Sequence, residues 1–373
     1  MKPEELRRDV PALEGTTYLN TGASGPCPRR VVETVDEVFE EHEYVSHAED
    51  PYGYADEEYE GAREAVARLL DVSPDEVALT HNTTDGINVV SSFFDWCDGG
   101  KVVTTRLEHS SGELPWKRLS DLHGVDVETV GADDDGRLRV DEFKDAVGDA
   151  DLVCLSSVSW SYGTSLPVSR VASVAHDEGA RVLVDAAQSV GQTEVDPHEW
   201  GADFVAGTGH KWLLGPWGTG FLYVSEGVEE ESRSHRIGYR GVEEPDASGY
   251  SYVDGARRFE VSTESPALYA GLREAIEIHE EVGTRTVERR VERLTERLKT
   301  GLESKQNVEL VGPRGYESGL VPFETRGDAD EVVETLSREG IVVRSLPDGT
   351  LRASVHVFNT SEDVDRLLSE LPD

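Results

Sequence analysis

The chain has 373 residues, 37% of them hydrophobic, which is enough for one large core and a smaller second domain. No apolar run approaches the roughly 20 residues that cross a bilayer, so a membrane span is excluded. Its 36 Lys and Arg stand against 75 Asp and Glu, a net charge of −39 that argues against nucleic acid as a partner.

The acids are spread along the chain rather than gathered in a tail. They read as a solvated acidic shell, suited to high salt that screens self-repulsion, in preference to an acidic face for a basic partner. The first residues, Met1–Leu6, hold no apolar stretch of the kind that marks a secretion signal. Cys27, Cys97 and Cys154 are odd in number and far apart, so neither a disulfide framework nor a cysteine zinc site is expected. The cytoplasm is the expected compartment. His42 and His47 share no ligand spacing and read as part of a solvated helix, so no metal is expected.

From about residue 75 to 225, seven strand-like runs alternate with amphipathic stretches. The runs are Glu76–Thr80, Lys101–Thr105, Val125–Val130, Asp151–Ser157, Arg181–Asp185, Phe204–Ala206 and Gly220–Val224. Helical patterns lie between several of them, as at Gly86–Trp96, Val140–Val147 and Val168–Glu178. This alternation predicts an α/β domain with a mainly parallel seven-stranded sheet covered on both faces. In such sheets ligands sit beyond the carboxyl ends of the strands. Three turns at those ends hold the chemistry.

The first is His81-Asn82-Thr83-Thr84-Asp85-Gly86, a polar turn opening an apolar helix. A helix N-terminus offers free N–H groups to an anion and Thr hydroxyls add donors, although an ordinary N-cap looks the same. In the second, Arg181-Val182-Leu183-Val184-Asp185, an Asp ends an apolar run and must leave the sheet at the ligand edge. A helix cap is the equal alternative. The third, Ala206-Gly207-Thr208-Gly209-His210-Lys211-Trp212-Leu213-Leu214, sets a lysine beside apolar bulk. Lost solvation there favours the neutral, nucleophilic amine. Lys211 alone does not decide between that and a surface lysine.

Two look-alikes fall away. Gly131–Glu142 imitates part of a calcium loop but begins with Gly where a ligand is needed. Gly215-Pro216-Trp217-Gly218-Thr219-Gly220 lacks the Lys-Ser/Thr of a P-loop. After about residue 260 the pattern changes. A long amphipathic helix is predicted over Ala267–Leu302, then strands Val308–Val311 and Gly319–Glu324, a helix Ala329–Glu339, strands Ile341–Ser345 and Leu351–Val357, and a helix Ser361–Leu371. These predict a small α+β domain of residues 261–373, joined by residues 1–19, beside a large domain of residues 20–260.

Together these segments resemble the class V aminotransferase group of fold-type I pyridoxal-phosphate (PLP) enzymes, which contains cysteine desulfurases and cystine lyases. The resemblance runs from Tyr18-Leu19-Asn20-Thr21-Gly22 to the last helix, and Val184-Asp185-Ala186-Ala187-Gln188 with Thr208-Gly209-His210-Lys211 is its most specific part. It implies pyridoxal 5'-phosphate as cofactor, held as a Schiff base on Lys211. Asp185 would pair with the pyridine nitrogen and Gln188 with the ring hydroxyl. Thr83, Thr84, Thr208 and His210 would bind the phosphate, and His109, in Glu108-His109-Ser110-Ser111, would stack on the ring. Arg258–Thr263 is similar to the segment that lends a Thr, here Thr263, to a neighbouring subunit, which implies a homodimer. Leu351-Arg352-Ala353-Ser354 resembles the strand whose Arg grips the substrate carboxylate, and a planar guanidinium suits that group.

Two departures bear on the reaction. Desulfurases of this group carry a reactive Cys between the segments Val342-Val343-Arg344 and Arg352-Ala353-Ser354, and the stretch Ser345–Leu351 has none. Where many of them place an Asn near the ring hydroxyl, this chain reads Ser159-Trp160-Ser161, and Trp160 either shapes the substrate pocket or packs in the core. The expected activity is therefore β-elimination of sulfur from a small cysteine- or cystine-like amino acid, with Lys211 taking the Cα proton. Transamination is the alternative, followed by desulfuration without the loop cysteine and by epimerisation. A scaffold or sulfur-transfer partner that binds PLP without turnover is the non-enzymatic one.

Overall fold

The computed structural model describes residues 1–245 and 249–371. Seven strands form one sheet: β1 (Val77–Thr80), β2 (Lys101–Thr105), β3 (Asp126–Val130), β4 (Leu152–Ser156), β5 (Arg181–Asp185), β6 (Phe204–Thr208) and β7 (Gly220–Val224). Their order is β1-β7-β6-β5-β4-β2-β3, with β7 antiparallel to both of its neighbours and every other pairing parallel. The mainly parallel seven-stranded sheet expected from the sequence is thus present. Its inner strands are apolar on both faces because helices cover both, while the edge strand Asp126–Val130 is largely exposed. Val153, Leu155, Val182, Val184 and Val205 point into one core, while Leu152, Cys154, Leu183, Phe204 and Ala206 point into the other.

A second sheet lies in the C-terminal part: β8 (Val308–Leu310), β9 (Leu320–Thr325), β10 (Arg344–Ser345) and β11 (Leu351–Ser354), in the antiparallel order β8-β9-β11-β10. Near the N-terminus Thr17–Tyr18 pairs in parallel with Ile341–Val342, and Asn20 bridges to Ser354. The predicted strand Ile341–Ser345 is therefore two short pieces with different partners. The single helix predicted over Ala267–Leu302 is also two, Pro266–Val282 and Thr284–Glu303. Gly283 separates them at φ 84°, and its amide closes the first helix on the His279 carbonyl at 2.8 Å. The apolar stripe continues across the break, so periodicity alone did not reveal it. Among the described residues no helix is long and apolar enough to cross a membrane.

Candidate active site

Because β1, β2, β4, β5 and β6 all run in one direction, their carboxyl ends open on the same edge of the sheet. A cavity of about 520 Å³ lies there, lined by Thr83, Thr84, His109, Trp160, Asp185, Gln188, Thr208, His210, Lys211 and Arg352 among others. Ten of the eleven residues singled out from the sequence thus share one cavity. The eleventh, Thr263, is exposed and does not line it. The N-terminal segment closes one wall. Gly25 donates its amide to the His210 carbonyl at 2.8 Å, and a Cβ there would lie 2.1 Å from the Lys211 carbonyl oxygen, so only glycine lets the segment approach.

Lys211 follows β6 by three residues, and the buried Trp212, Leu213 and Leu214 come directly after it. Burial pushes its ammonium down to about 8; Arg352 and Arg344 push the same way and Asp185 opposes them. Asp185 ends β5 with one carboxylate oxygen accepting the Ala187 amide at 2.8 Å. Burial raises its carboxyl, against that hydrogen bond and the Lys211 charge. A carboxylate so placed gains by meeting a cation. The Gln188 amide is anchored at both ends, donating to the Gly22 carbonyl at 2.9 Å and accepting from the Trp212 indole at 2.8 Å. Its second amide hydrogen is left for the cavity.

At one end of the cavity the helix Thr83–Ser91 begins, with Asn82 capping it by accepting the Asp85 amide at 3.0 Å. The Thr83 hydroxyl is buried without a partner. Thr84 donates to the Ser111 hydroxyl at 2.9 Å, which also lies 2.9 Å from His109 Nδ1, so one serine ties the helix start to the imidazole. Thr208 and His210 meet at 2.7 Å, and burial with the Lys211 charge drives the His210 imidazole down to about 4. Neutral at ordinary pH, His210 offers a hydrogen bond rather than a charge. His109 is also held below the usual range, by desolvation first and then by Lys211, Arg344 and Arg352.

Across the cavity, Arg352 on β11 is buried, and one amino nitrogen donates to the Trp160 carbonyl at 2.7 Å. Its Nε and other amino nitrogen have no partner, and burial, with Arg344 nearby, pushes the guanidinium down to about 9. Arg344 sits opposite Arg352 in the β10–β11 register and lines the same cavity. Trp160 is held by an indole hydrogen bond to the Glu108 carbonyl at 3.1 Å and meets the His109 ring edge-on at 5.2 Å. Trp160 therefore belongs to the cavity wall.

Sequence reasoning passed over Asn82, Ser111, Ser156, Trp217 and Arg344 as lining residues. Asn82 had a usable signal, an N-cap before paired threonines. Arg344 had none without the strand register. None of the three cysteines lines the cavity. Cys27 lies 3.3 Å from the Gly215 carbonyl with its thiol pushed up to about 11 by burial, Cys97 is exposed, and Cys154 is buried in β4. The turn between β10 and β11 is closed by Leu346 and Thr350 at 2.7 Å and holds no thiol.

The donor set fits PLP. The orphaned Thr83 hydroxyl at a helix start suits a phosphate, the Lys211 amine, whose ammonium burial disfavours, an aldehyde, the buried Asp185 a pyridinium, and the unpartnered Arg352 nitrogens a carboxylate. The family described as aminotransferase class V matches residues 17–367. A protein of Methanothermobacter thermautotrophicus described as a probable cysteine desulfurase is 36% identical, over 99% of this chain and 97% of its own. The apo structure of a cysteine desulfurase from Thermococcus onnurineus NA1 is similar with a TM-score of 0.92 at 32% identity, over 99% of this chain and 97% of that one. A cystine C–S lyase, solved with its reaction product cysteine persulfide, is similar with a TM-score of 0.91 at 25% identity, over 98% of this chain and all of that one.

Proposed function

The chain belongs to the class V aminotransferase family, and from that premise we propose that it is a PLP-dependent C–S β-lyase acting on a cysteine- or cystine-type amino acid. The observation that carries the reading is one cavity holding Lys211, Asp185 and Arg352 with no cysteine in its lining. Bound PLP supplies an electron sink for the charge left at Cα when its proton departs.

The chain's own residues do the rest. Lys211 would hold the cofactor until the substrate amine displaces it, and its freed neutral amine then accepts the Cα proton. Asp185 would meet the ring nitrogen and Gln188 the ring hydroxyl. Thr83, Thr84, Thr208 and a neutral His210 would hold the phosphate, and His109 would stack on the ring. Arg352, one nitrogen fixed by the Trp160 carbonyl, takes the substrate carboxylate with its two free nitrogens, which orients the Cα–H bond toward Lys211. Trp160 narrows the space around the sulfur. The sulfur leaves with the electrons of the Cβ–S bond, and water converts the remaining three-carbon unit to pyruvate and ammonia. Thr263, exposed and outside its own cavity, would lend its hydroxyl to the phosphate held by a second copy in a homodimer.

Desulfuration to alanine is the second reading, favoured by the names of the 36% and 32% identical relatives. It requires a thiol from Cys27 or from a partner protein. The two separate in one assay: PLP-loaded enzyme in high salt with cysteine, cystine and other amino acids, followed for sulfur release, pyruvate, alanine and keto acids. Pyruvate in step with released sulfur is the expected result. Alanine in step with sulfur would replace the lyase by a desulfurase, and a keto acid that appears only with an amino acceptor would replace both by an aminotransferase.

A further inference from the structure

Behind the cavity wall lies a carboxyl that the reaction above does not use. Glu108 is buried, 4% exposed, in the turn that carries His109. Its two carboxyl oxygens take hydrogen bonds from Thr105 at the end of β2, at 2.5 Å, and from Ser156 at the end of β4, at 2.6 Å. Its peptide carbonyl holds the Trp160 indole at 3.1 Å. Ser156 itself lines the cavity and lies opposite Asp185 in the β4–β5 register. Glu108 thus touches two pieces of the wall and sits one serine away from the Asp185 strand end. No cation pairs with it among the described residues, unlike the buried Glu260, which meets Arg63 at 2.6 Å.

We propose that Glu108 is a positioning residue of this site, a proton-bearing carboxylic acid that clamps Ser156 against Thr105 and leaves Asp185 as the single negative charge facing the cofactor. The inference rests on the reading that Asp185 and Lys211 hold PLP. Two buried carboxyls that repel each other do not both ionise readily, and the one without a cation keeps its proton. Asp185 has Lys211 and the Ala187 amide to favour its charge. Glu108 has neutral donors only, the Ser156 and Thr105 hydroxyls and the Ser156 amide, and burial, with Asp185 as a further repulsion, lifts its carboxyl to about 7. The other titratable group acting here is Cys154 of β4, kept a neutral thiol by burial, while His109 follows in the same turn and extends into the cavity. When Glu108 loses its proton, a second negative charge appears behind Asp185, and the cofactor must register it.

The test is a pH titration of the visible absorbance of the PLP-loaded protein. Wild type is expected to show a step with a midpoint near neutrality that Glu108→Gln, which keeps hydrogen bonding but cannot ionise, removes. Ser156→Ala withdraws a hydrogen bond that favours the charged form, so its midpoint moves up by about one pH unit. A Glu108→Gln titration superimposable on wild type would overturn the proposal. If that variant does not fold, Ser156→Ala and Thr105→Val decide, and an unmoved midpoint in both overturns it equally. Should wild type take up no PLP, the functional reading falls. Glu108 is then judged separately by the infrared band of a buried carboxylic acid in the wild-type minus Glu108→Gln difference. Its presence below neutrality and loss above support proton-bearing Glu108, and its absence removes it.

Discussion

Two buried arginines, one in the scaffold and one in the cavity, are treated in opposite ways. Arg63, 3% exposed beside β1, meets Glu260 at 2.6 Å, Glu60 at 3.1 Å and the Val77 carbonyl at 2.7 Å, and only one amino nitrogen lacks a partner. Arg352, 1% exposed, has a single hydrogen bond and no carboxylate. The net effect of its partners raises the Arg63 guanidinium despite burial, whereas burial lowers that of Arg352 to about 9. A folded chain with 75 acidic residues had carboxylates to spare for both. Leaving Arg352 without one costs stability and is reasonable only where a ligand brings the missing anion.

The contrast breaks most visibly under substitution of Arg352. Replacing it with Gln should lower kcat/KM for the amino-acid substrate by roughly a hundred- to a thousandfold, the range for truncating one partner of a buried charge pair. Thermal unfolding of the same variant without cofactor should be unchanged or shifted upward, since an uncompensated buried cation is gone. A variant that melts lower and keeps its kcat/KM would show Arg352 to be scaffold. Arg63→Met should do the reverse. It leaves Glu260, whose carboxylate also accepts the Leu79 amide at 2.9 Å, with Arg240 at 3.7 Å in place of its 2.6 Å partner, and should cost about 3 kcal/mol of unfolding free energy in denaturant titration, the low end of the range for breaking a buried pair. Activity per folded molecule should stay the same, and a fall in it would place Arg63 within the working site.

The same contrast shows how far the sequence could be read. The inner strands were legible because a strand buried on both faces leaves an unbroken apolar run, and polar residues such as Asp185 and Thr208 mark where it exits. Lys211 and Asp185 could be placed because each ends such a run. Only part of what separates Arg63 from Arg352 is local. Glu60 lies one helical turn before Arg63, whereas Arg352 stands between Leu351 and Ala353; the shorter contact of Arg63, to a carboxylate 197 positions away, is made by tertiary contact. Arg344 stayed hidden for the same reason, since it reaches the cavity only through its register with Arg352. Glu108 was visible as a residue beside His109, but its role depends on hydroxyls delivered by two separate strands. The break at Gly283 was lost because a glycine within a continuing apolar stripe is as compatible with a helix as with its end.

The smallest expected effect is the most informative about the reaction. Cys27 lies nearest of the three cysteines to the chain segment that closes the cavity, two residues after Gly25, whose amide meets the His210 carbonyl. Its half-buried thiol is nonetheless directed at the Gly215 carbonyl and raised to about 11, so it holds almost no thiolate at neutral pH. A sulfur acceptor needs the opposite: an exposed, low-pKa thiol facing the substrate. Cys27→Ser preserves the hydrogen bond to Gly215 and should change pyruvate formation and sulfur release from cystine by less than about twofold, because the leaving sulfur takes the bond electrons with it and needs no protein nucleophile. If that substitution stopped sulfur release while Arg352 still bound substrate, the thiol would have to swing into the cavity during turnover. The reaction would then be a desulfuration through Cys27, and the absence of a cysteine from the turn between β10 and β11 would mark a relocated nucleophile instead of a lost one.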